Sequence, residues 1–440
     1  MKIDPASLRA TPGGYFYSIF GSPEYTGWID ESLSWTTTCY VGDWSFIPTR
    51  RFSGKDALRL FSDITVNSMQ AFAVGQSKHA VHCNRDGKII HEGILSRAGE
   101  EELLCFGRGA LLAAYTATSG GYDVRVENAD LTKYQVQGPY AVYVVERACG
   151  ESLRDVAFMH SKEVQIAGHP VMALRQGMSG ELGFELQTSL ANGPEVMAEI
   201  LKSGEPYGIR RMGGRVALIN HLEACYPTTT HDYLPALFTP DMAGYCETVR
   251  SENPVLFANT NLIGGSFESD DISDWYRSPV EFGWGRNIKF DHDFPGKEAL
   301  AAELEHPRRT VVTLVWNSDD VGRVYSSLFD PAQRPCKFME MPRESQGRMW
   351  ADRVEAGGKL VGISTSRGYS ASLSKMLSLC VIDVAHQNPG TEVTVIWGEP
   401  GERQERIRAT VAPAPIKPQR SRVDLHTLPE DPVMGPLAAA

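Results

Sequence analysis

The chain has 440 residues, a formal net charge of −11, and 42% hydrophobic and 22% charged residues. This composition is typical of a globular protein with two or three domains, and the acidic balance argues against a nucleic-acid partner. No apolar run reaches the roughly 18 residues of a membrane helix, and the N-terminus lacks the regions of a signal peptide, so we expect no membrane partner and a cytoplasmic protein.

The first 300 residues mix helical and strand-like segments, which indicates an α+β protein. Helical spacing of apolar residues predicts helices over 55–62 and 195–203. Short apolar runs bounded by Gly, Pro or charged residues predict strands at 104–106, 142–145 and 171–174.

The charged segment 303–309 is typical of a linker. Three strand-like runs with turn residues between them follow it, at 310–316, 377–384 and 393–397. They predict an antiparallel barrel or sandwich. We therefore expect a large domain over 1–302 and a C-terminal β-barrel domain over 310–440.

The eight cysteines are scattered without a C-x-x-C pair. In a large cytoplasmic chain this pattern indicates reduced, mostly buried thiols and argues against a structural zinc site. The run Asp291-His292-Asp293 is better explained as a surface turn than as a set of ligands, so no metal is predicted.

The segment 175–186, which reads RQGMSGELGFEL, is the most informative motif of the chain. Its three glycines, spaced three residues apart, tolerate positive φ and let the backbone approach a flat ligand. Phe184 and Leu186 have the spacing of inward positions on a strand, which places Glu185 on the opposite face. A carboxylate fixed there accepts two N–H donors, as the amino-pyrimidine edge of a pterin requires. A glycine-rich hairpin with a solvated Glu185 is the alternative interpretation.

Together with other segments in the same order, this motif resembles the glycine-cleavage aminomethyltransferase (T-protein) family, which binds tetrahydrofolate. The other matching segments are 42–58, 136–139 (VQGP), 222–224, 282–300 and 368–393. The resemblance covers nearly the whole chain. It implies an α+β, T-protein-like folate-binding fold with two intertwined N-terminal mixed α/β subdomains and a C-terminal antiparallel β-barrel. It also implies that Gln137, Glu185 and Trp284 contact the folate.

Residues 263–294, together with 14–17 and 106–108, resemble a narrower group, the tetrahydrofolate-dependent O-demethylases of vanillate, 3-O-methylgallate and syringate from lignin-aromatic catabolism. In that group a tyrosine and an arginine bind the carboxylate of the methoxybenzoate, and these roles would fall on Tyr17 and Arg108. The resemblance implies transfer of a methyl group from a methoxylated aromatic acid to tetrahydrofolate, giving 5-methyltetrahydrofolate and a phenol.

This reaction includes two proton transfers. The resemblance assigns Asp43 to the one at the N-5 nitrogen of the folate, and a local backbone bond at Ser45 is the alternative role for its carboxylate. The donor to the departing phenolate stays open, because the tyrosine of the vanillate-type enzymes aligns with Ala217. Tyr226, His221 and His231 are candidates, and Tyr226 also aligns with an aromatic residue that packs on the folate. The missing tyrosine ring predicts a larger pocket and a bulkier substrate such as syringate.

Three other functions remain open on the same fold. An aminomethyltransferase would need a lipoyl carrier protein, but His221 and Cys225 replace the Arg and Gly of that family, so no such partner is expected. A demethylase of a sulfonium acid is the second alternative. A non-catalytic folate-binding protein is the third, and the presence of Arg108 argues against it because folate binding alone does not require this residue.

Overall fold

The computed structural model describes residues 4–10, 17–252 and 262–435. The α-helices of the described chain are α1 (Pro5–Ala10), α2 (Trp28–Thr37), α3 (Ala57–Ile64), α4 (Gly109–Ser119), α5 (Ala141–Cys149), α6 (Gly193–Gly204), α7 (Ile219–Ala224), α8 (Ala243–Glu252), α9 (Lys297–Glu305) and α10 (Ser318–Ser326). None of the described helices is long and apolar enough to cross a membrane.

The strands in the described part of the chain are β1 (Tyr40–Asp43), β2 (Thr49–Ser53), β3 (Ser77–Cys83), β4 (Ile89–Gly99), β5 (Glu102–Phe106), β6 (Arg125–Asn128), β7 (Leu131–Gln137), β8 (Ser161–Ile166), β9 (His169–Arg175), β10 (Gly183–Ser189), β11 (Arg210–Arg211), β12 (Ile263–Gly264), β13 (Arg309–Trp316), β14 (Met349–Trp350), β15 (Asp352–Ala356), β16 (Lys359–Ser370), β17 (Lys375–Asp383), β18 (Glu392–Trp397) and β19 (Glu405–Ala412).

These strands form two larger sheets and a closed barrel. The first sheet has the order β11-β1-β7-β10-β9-β8, and only its β1–β11 pair is parallel. The second sheet, β3-β4-β5-β2-β6, is antiparallel throughout. The antiparallel barrel runs β13-β17-β16-β15-β18-β19 and closes where β19 pairs with β13. The predicted α+β fold with a C-terminal antiparallel barrel is confirmed.

One face of the first sheet is covered by helices. Val136 of β7 and Phe184 and Leu186 of β10 are fully buried in a core that includes residues of α5 and α6. Because side chains alternate along a strand, the residues between them point away from this core. This second face of the sheet is therefore free to line a site.

The strand predicted over 142–145 is wrong, since these residues lie within α5. A short apolar run does not distinguish a buried strand from a buried helix by periodicity. The helix starts directly after the turn at Gly138 and Pro139, with the Ala141 N–H donating to the Gly138 carbonyl, and it ends at Gly150 in the left-handed region. All of 142–145 is buried against the first sheet.

The end of the chain returns from the barrel to the first sheet. The barrel strands end at Ala412, and Val423 and Leu425 then pack against the core of the first sheet. The Arg175 guanidinium donates to the Ser421 carbonyl at 3.3 Å, which ties this tail to β9. The predicted linker 303–309 includes the last residues of α9 and the first residue of β13. The domain boundaries at 302 and 310 stay a prediction.

Candidate active site

The uncovered face of the first sheet carries a row of buried polar side chains. On β7, Lys133, Gln135 and Gln137 alternate with residues of the apolar core, and all three are nearly inaccessible to solvent. Gln135 pairs with Glu185 in the register of β7 and β10, so these polar residues share one face. The sheet therefore presents a polar surface on the side opposite its hydrophobic core.

Glu185 lies at the centre of this surface. Its Oε2 accepts hydrogen bonds from the amides of Gln176 at 2.7 Å and Gln135 at 3.4 Å, and its Oε1 accepts one from Gln187 at 2.8 Å. Burial raises the pKa of Glu185, and these amides together with Lys133 oppose that shift. Glu185 faces away from the core, as predicted. It is only 5% exposed, so the alternative of a solvated carboxylate is wrong.

Two glutamines beside Glu185 have atoms without partners. The Oε1 atom of Gln137 accepts hydrogen bonds from the Tyr40 hydroxyl at 3.1 Å and the Ser179 N–H at 2.9 Å. Within the described chain, no acceptor meets the buried Nε2 of Gln137 and no donor meets the buried Oε1 of Gln135. A buried polar atom without a hydrogen bond is costly, so this surface has the donor and the acceptor that a flat heterocycle would satisfy.

His221 forms an aromatic stack with Trp44 beside this surface. The two rings are 5.2 Å apart and nearly parallel. Helix α7 places His221 here because Glu223, on the same helix, accepts a hydrogen bond from the Trp35 indole at 2.9 Å and another from Ser370 of the barrel. The helix is therefore fixed between the aromatic cluster and the barrel.

The tautomer of His221 follows from its neighbours. The Thr228 hydroxyl donates to the Tyr226 carbonyl at 3.2 Å, so at the 3.3 Å contact with Thr228 the Nδ1 of His221 is the donor. Burial lowers the pKa of His221 to about 3, which leaves the imidazole neutral. Its buried Nε2 is then an acceptor, and no described group bonds to it. In this tautomer the Nε2 of His221 is available as a hydrogen-bond acceptor.

Tyr226 lies next to His221, with its ring 6.4 Å from the imidazole. Its hydroxyl interacts with Ser421 of the C-terminal tail, and burial raises its pKa. The structure therefore brings Trp44, His221 and Tyr226 together in one chain of ring contacts.

Arg108 lies at the first turn of α4, beyond the end of β5. Its guanidinium has neither a hydrogen bond nor an ion pair within the described residues. Burial lowers the pKa of Arg108, and Tyr233, Tyr245 and Glu92 oppose that shift from nearby. The same charge helps to lower the pKa of His91, whose Nε2 lies 2.9 Å from the Tyr245 hydroxyl. Arg108 is thus a shielded cation near Glu92 that forms no ion pair within the described residues.

Asp43 takes part in a local turn. Its Oδ1 accepts a hydrogen bond from the Ser45 N–H at 2.9 Å, which is the alternative role considered for it. In the register of β1 and β7 it pairs with Tyr134, a residue of the hydrophobic core. Asp43 therefore lies on the face of the strand opposite to Glu185. Its assignment to the folate nitrogen stays a prediction.

The remaining predicted positions differ in their surroundings. Trp284 is partly exposed and packs edge-to-face against His79 at 4.6 Å. No described contact joins it to Glu185. Ala217 is fully buried in the aromatic cluster that contains Trp44, which gives no support to an enlarged pocket at this position. Residues 14–16 and the side chain of Tyr17 lie outside the described residues.

Several residues of this surface were not found from the sequence. Lys133 and Gln135 alternate with apolar residues on β7, and Gln187 follows Glu185 by two positions on β10, so the period-two pattern of each strand was the available signal. Tyr233, which lies near Arg108, gave no such signal, because its charged neighbours come from distant segments of the chain.

Comparison with known proteins agrees with this geometry. Residues 14–252 match the family model described as the GCVT N-terminal domain, which is more than half of the chain. The chain belongs to the GCVT aminomethyltransferase family. The predicted resemblance is confirmed, and with it the prediction of an enzyme that transfers a one-carbon group to tetrahydrofolate.

Two curated relatives extend over almost the whole chain. The sesamin methylene transferase of Sinomonas sp. (strain No.22) is 34% identical over 92% of this chain and 93% of its own. The syringate O-demethylase of Sphingobium sp. (strain NBRC 103272 / SYK-6) is 32% identical and covers 89% of each chain. The crystal structure of the glycine cleavage system aminomethyltransferase T from Bartonella henselae covers 90% of this chain and 91% of that one. It has a TM-score of 0.64 at 18% identity, so it supports the fold.

The polar surface fits the pterin of a folate. The amino-pyrimidine edge of a pterin has adjacent N–H donors, and a fixed carboxylate such as that of Glu185 can accept hydrogen bonds from them. The pterin ring also has acceptor atoms, which can pair with the buried amide nitrogen of Gln137. When bound there, tetrahydrofolate supplies a nucleophilic nitrogen.

Proposed function

We propose that this GCVT-family enzyme is a tetrahydrofolate-dependent O-demethylase of methoxylated aromatic acids. The observation that carries the proposal is Arg108, a shielded cation without a partner among the described residues. A guanidinium binds a benzoate carboxylate through two parallel hydrogen bonds, which fixes the orientation of the ring as well as its position. A folate-binding protein without a second, anionic substrate has no need of this cation.

The syringate O-demethylase supports the choice of substrate class, since it aligns with 89% of this chain at 32% sequence identity. Syringate is a benzoate with methoxy groups meta to the carboxylate. With the carboxylate at Arg108, a meta oxygen projects from the ring at a fixed angle. The proposal therefore extends to syringate and its relatives, and to a role in the catabolism of lignin-derived aromatic acids.

The chain's own residues contribute mainly by positioning. Glu185 and Gln137 hold one ring system and Arg108 holds the other, so that the reacting atoms meet in line. Correct alignment of two bound reactants contributes roughly 7–11 kcal/mol to lowering a barrier of this kind. His221, neutral and with a free Nε2, takes the role of an acceptor for the proton released at the nucleophilic nitrogen.

The test compares acids with their neutral counterparts. The purified protein is incubated with tetrahydrofolate and with syringate, vanillate, 3-O-methylgallate or veratrate, and in parallel with the methyl esters of the same acids. We expect the phenol and 5-methyltetrahydrofolate to appear in equal amounts from the acids and far more slowly from the esters. Equal rates for acids and esters would contradict the role of Arg108, and no turnover of any ether would contradict the proposal.

The relative that acts on sesamin favours a second candidate. Sesamin carries methylenedioxy rings and no carboxylate, and its transferase is 34% identical to this chain. A demethylenating enzyme would act on sesamin itself, produce methylenetetrahydrofolate and be insensitive to the loss of Arg108. Including sesamin in the panel separates the two reactions.

A further inference from the structure

Lys133 is a buried cation to which neither the sequence nor the proposed function assigns a role. It is 2% exposed, and its ammonium group has three donors. The only hydrogen bond from this group within the described chain is the one to the Thr49 hydroxyl, at 2.8 Å. Two donors are therefore available to a ligand.

The side chain of Lys133 extends from the polar face of the first sheet towards Thr49 and Phe106. Its backbone lies on β7, on the polar face that carries Gln135 and Glu185. Its Nζ lies 5.8 Å from the centre of the Phe106 ring. Phe106 is the last residue of β5 and precedes Arg108 by two positions. One end of the side chain thus belongs to the folate face and the other reaches the segment that holds Arg108.

A structural lysine at a buried position normally forms an ion pair, because an unpaired buried charge is costly. Even Lys88, which is partly exposed, forms one with Glu281 at 3.4 Å. Lys133 has no carboxylate within 4.0 Å in the described residues, although Glu185 and Asp43 lie close enough to counter the effect of burial. Burial lowers the pKa of Lys133, which makes it a better proton donor than a surface lysine.

We propose that Lys133 is the catalytic acid that donates a proton to the departing phenolate oxygen. This inference rests on the proposed O-demethylase function. The bond between the methyl carbon and the aryl oxygen breaks with both electrons staying on oxygen. The carbon forms a bond to the acceptor nitrogen, that nitrogen passes its proton to the Nε2 of His221, and the oxygen gains a proton from Lys133.

The chemistry of the leaving group suits a lysine. A phenol has a pKa near ~10, by analogy with tyrosine, and proton transfer is efficient when donor and acceptor have similar affinities for the proton. His221 lacks this capacity because it is neutral and its Nε2 carries no proton. Lys133 therefore fills the role that the sequence left open.

The first test varies the acidity of the leaving phenol. The variants Lys133→Met and Lys133→Gln are compared with Lys88→Met, which removes an ion-paired lysine away from the site. With methoxybenzoates that carry no activating group, we expect each Lys133 variant to lose about 10²–10⁴-fold in turnover, the usual contribution of a placed acid. With nitro-substituted ethers, whose phenolates leave without a proton, the loss shrinks to less than about tenfold. A loss that is equal across the series, or absent, would overturn the assignment.

The second test needs neither tetrahydrofolate nor turnover. The chromophore 3-hydroxy-4-nitrobenzoate, a phenol with the hydroxyl meta to its carboxylate, is bound to the protein and titrated by absorbance. We expect the pKa of the bound phenol to be lower in the wild type than in Lys133→Met by about one unit or more, since a nearby cation stabilises the phenolate. Identical values would overturn the role of Lys133. Failure of the wild type to demethylate any ether, with the pKa difference present, would count against the proposed function alone.

Discussion

Two regions of the molecule surround their cations differently. Around Glu281, the Lys88 ammonium lies 3.4 Å from one carboxylate oxygen and the Arg309 guanidinium lies 3.5 Å from the other. The Ser278 N–H adds a hydrogen bond at 2.7 Å. Lys133 on the polar face of the first sheet and Arg108 beyond the end of β5 have no carboxylate partner within the described residues. We interpret these two cations as available to an anionic ligand.

The electrostatics of the first region centre on its carboxylate. Burial alone would raise the pKa of Glu281, but Arg277, Lys88 and Arg309 more than reverse that effect and hold the pKa below its usual range. Burial lowers the pKa of the cation in both regions, at Arg277 as well as at Arg108 and Lys133, so the regions differ in their carboxylate partner and not in the direction of this shift. We interpret the first region as a stabilising cluster and the second as a binding site that an anionic substrate completes.

The largest effect is expected from Arg108→Ala. Removing one partner of a shielded charge pair costs about 2–5 kcal/mol, so kcat/KM for methoxybenzoates should fall at least about 30-fold. Affinity for tetrahydrofolate, measured by calorimetric titration, should stay within about twofold. The control Arg108→Lys keeps the charge but loses the two-pronged geometry, and we expect an intermediate rate. Equal loss of folate binding would assign Arg108 to the folate site.

The opposite result is expected from Glu281→Gln, which should lower stability without changing the KM for either substrate. Its partners are partly exposed, so we expect a loss of about 1–3 kcal/mol in the free energy of unfolding, measured in urea. The folded-state pKa of Glu281 is depressed below 4.5. Its contribution is therefore complete above about that pH and is lost as the pH falls through the folded-state value. If Glu281→Gln had normal stability and impaired turnover, the Glu281 cluster would have a functional role and not a purely stabilising one.

A smaller effect is expected from Glu185→Gln. The neutral amide loses the charge-assisted bonds to a pterin, so folate affinity should fall about 10- to 100-fold in a fluorescence titration. The matched control is Glu181→Gln, because Glu181 lies in the loop just before β10 and pairs with Arg420 at 3.2 Å. We expect this control to leave affinity unchanged. If Glu185→Gln bound tetrahydrofolate with unchanged affinity, the polar face would not be the folate-binding site.

The smallest effect is expected from Asp43→Asn. An asparagine keeps the oxygen that accepts from Ser45, so stability should change by less than about 0.5 kcal/mol and turnover should stay close to that of the wild type. Asp43→Ala removes the acceptor and should cost about 1 kcal/mol in thermal unfolding. A folded Asp43→Asn variant without turnover would contradict this expectation and support the catalytic role that the family resemblance implies for Asp43.

The parts of the site that were predicted from the sequence are those encoded in a local pattern. Glu185 was placed correctly because Phe184 and Leu186 alternate with it and both point into the core. The barrel strands were recognised from β-branched runs separated by turns. By contrast, the apolar run 142–145 is compatible with either a strand or a helix. In the structure a helix starts directly after the turn at Gly138 and includes this run.

The parts that were missed depend on contacts between distant segments. Lys133 is notable because it forms no ion pair within the described residues. This absence depends on the three-dimensional surroundings of the side chain, so the sequence alone does not reveal it. Its partner Thr49 is 84 positions away in the chain. Likewise, the neutral state of His221 results from burial between Trp44 and the barrel-side segments, which no local pattern in the sequence encodes.

The most direct test of the account follows the methyl group itself. Syringate carrying ¹³C in its methoxy groups is incubated with the protein and tetrahydrofolate, and the label is followed by NMR. We expect the labelled methyl group to move intact from the aryl ether to the nitrogen of tetrahydrofolate, with the phenol formed in equal amount. Two results would contradict the proposed function: label in methylenetetrahydrofolate, or label that remains in the ether while the protein demethylenates sesamin.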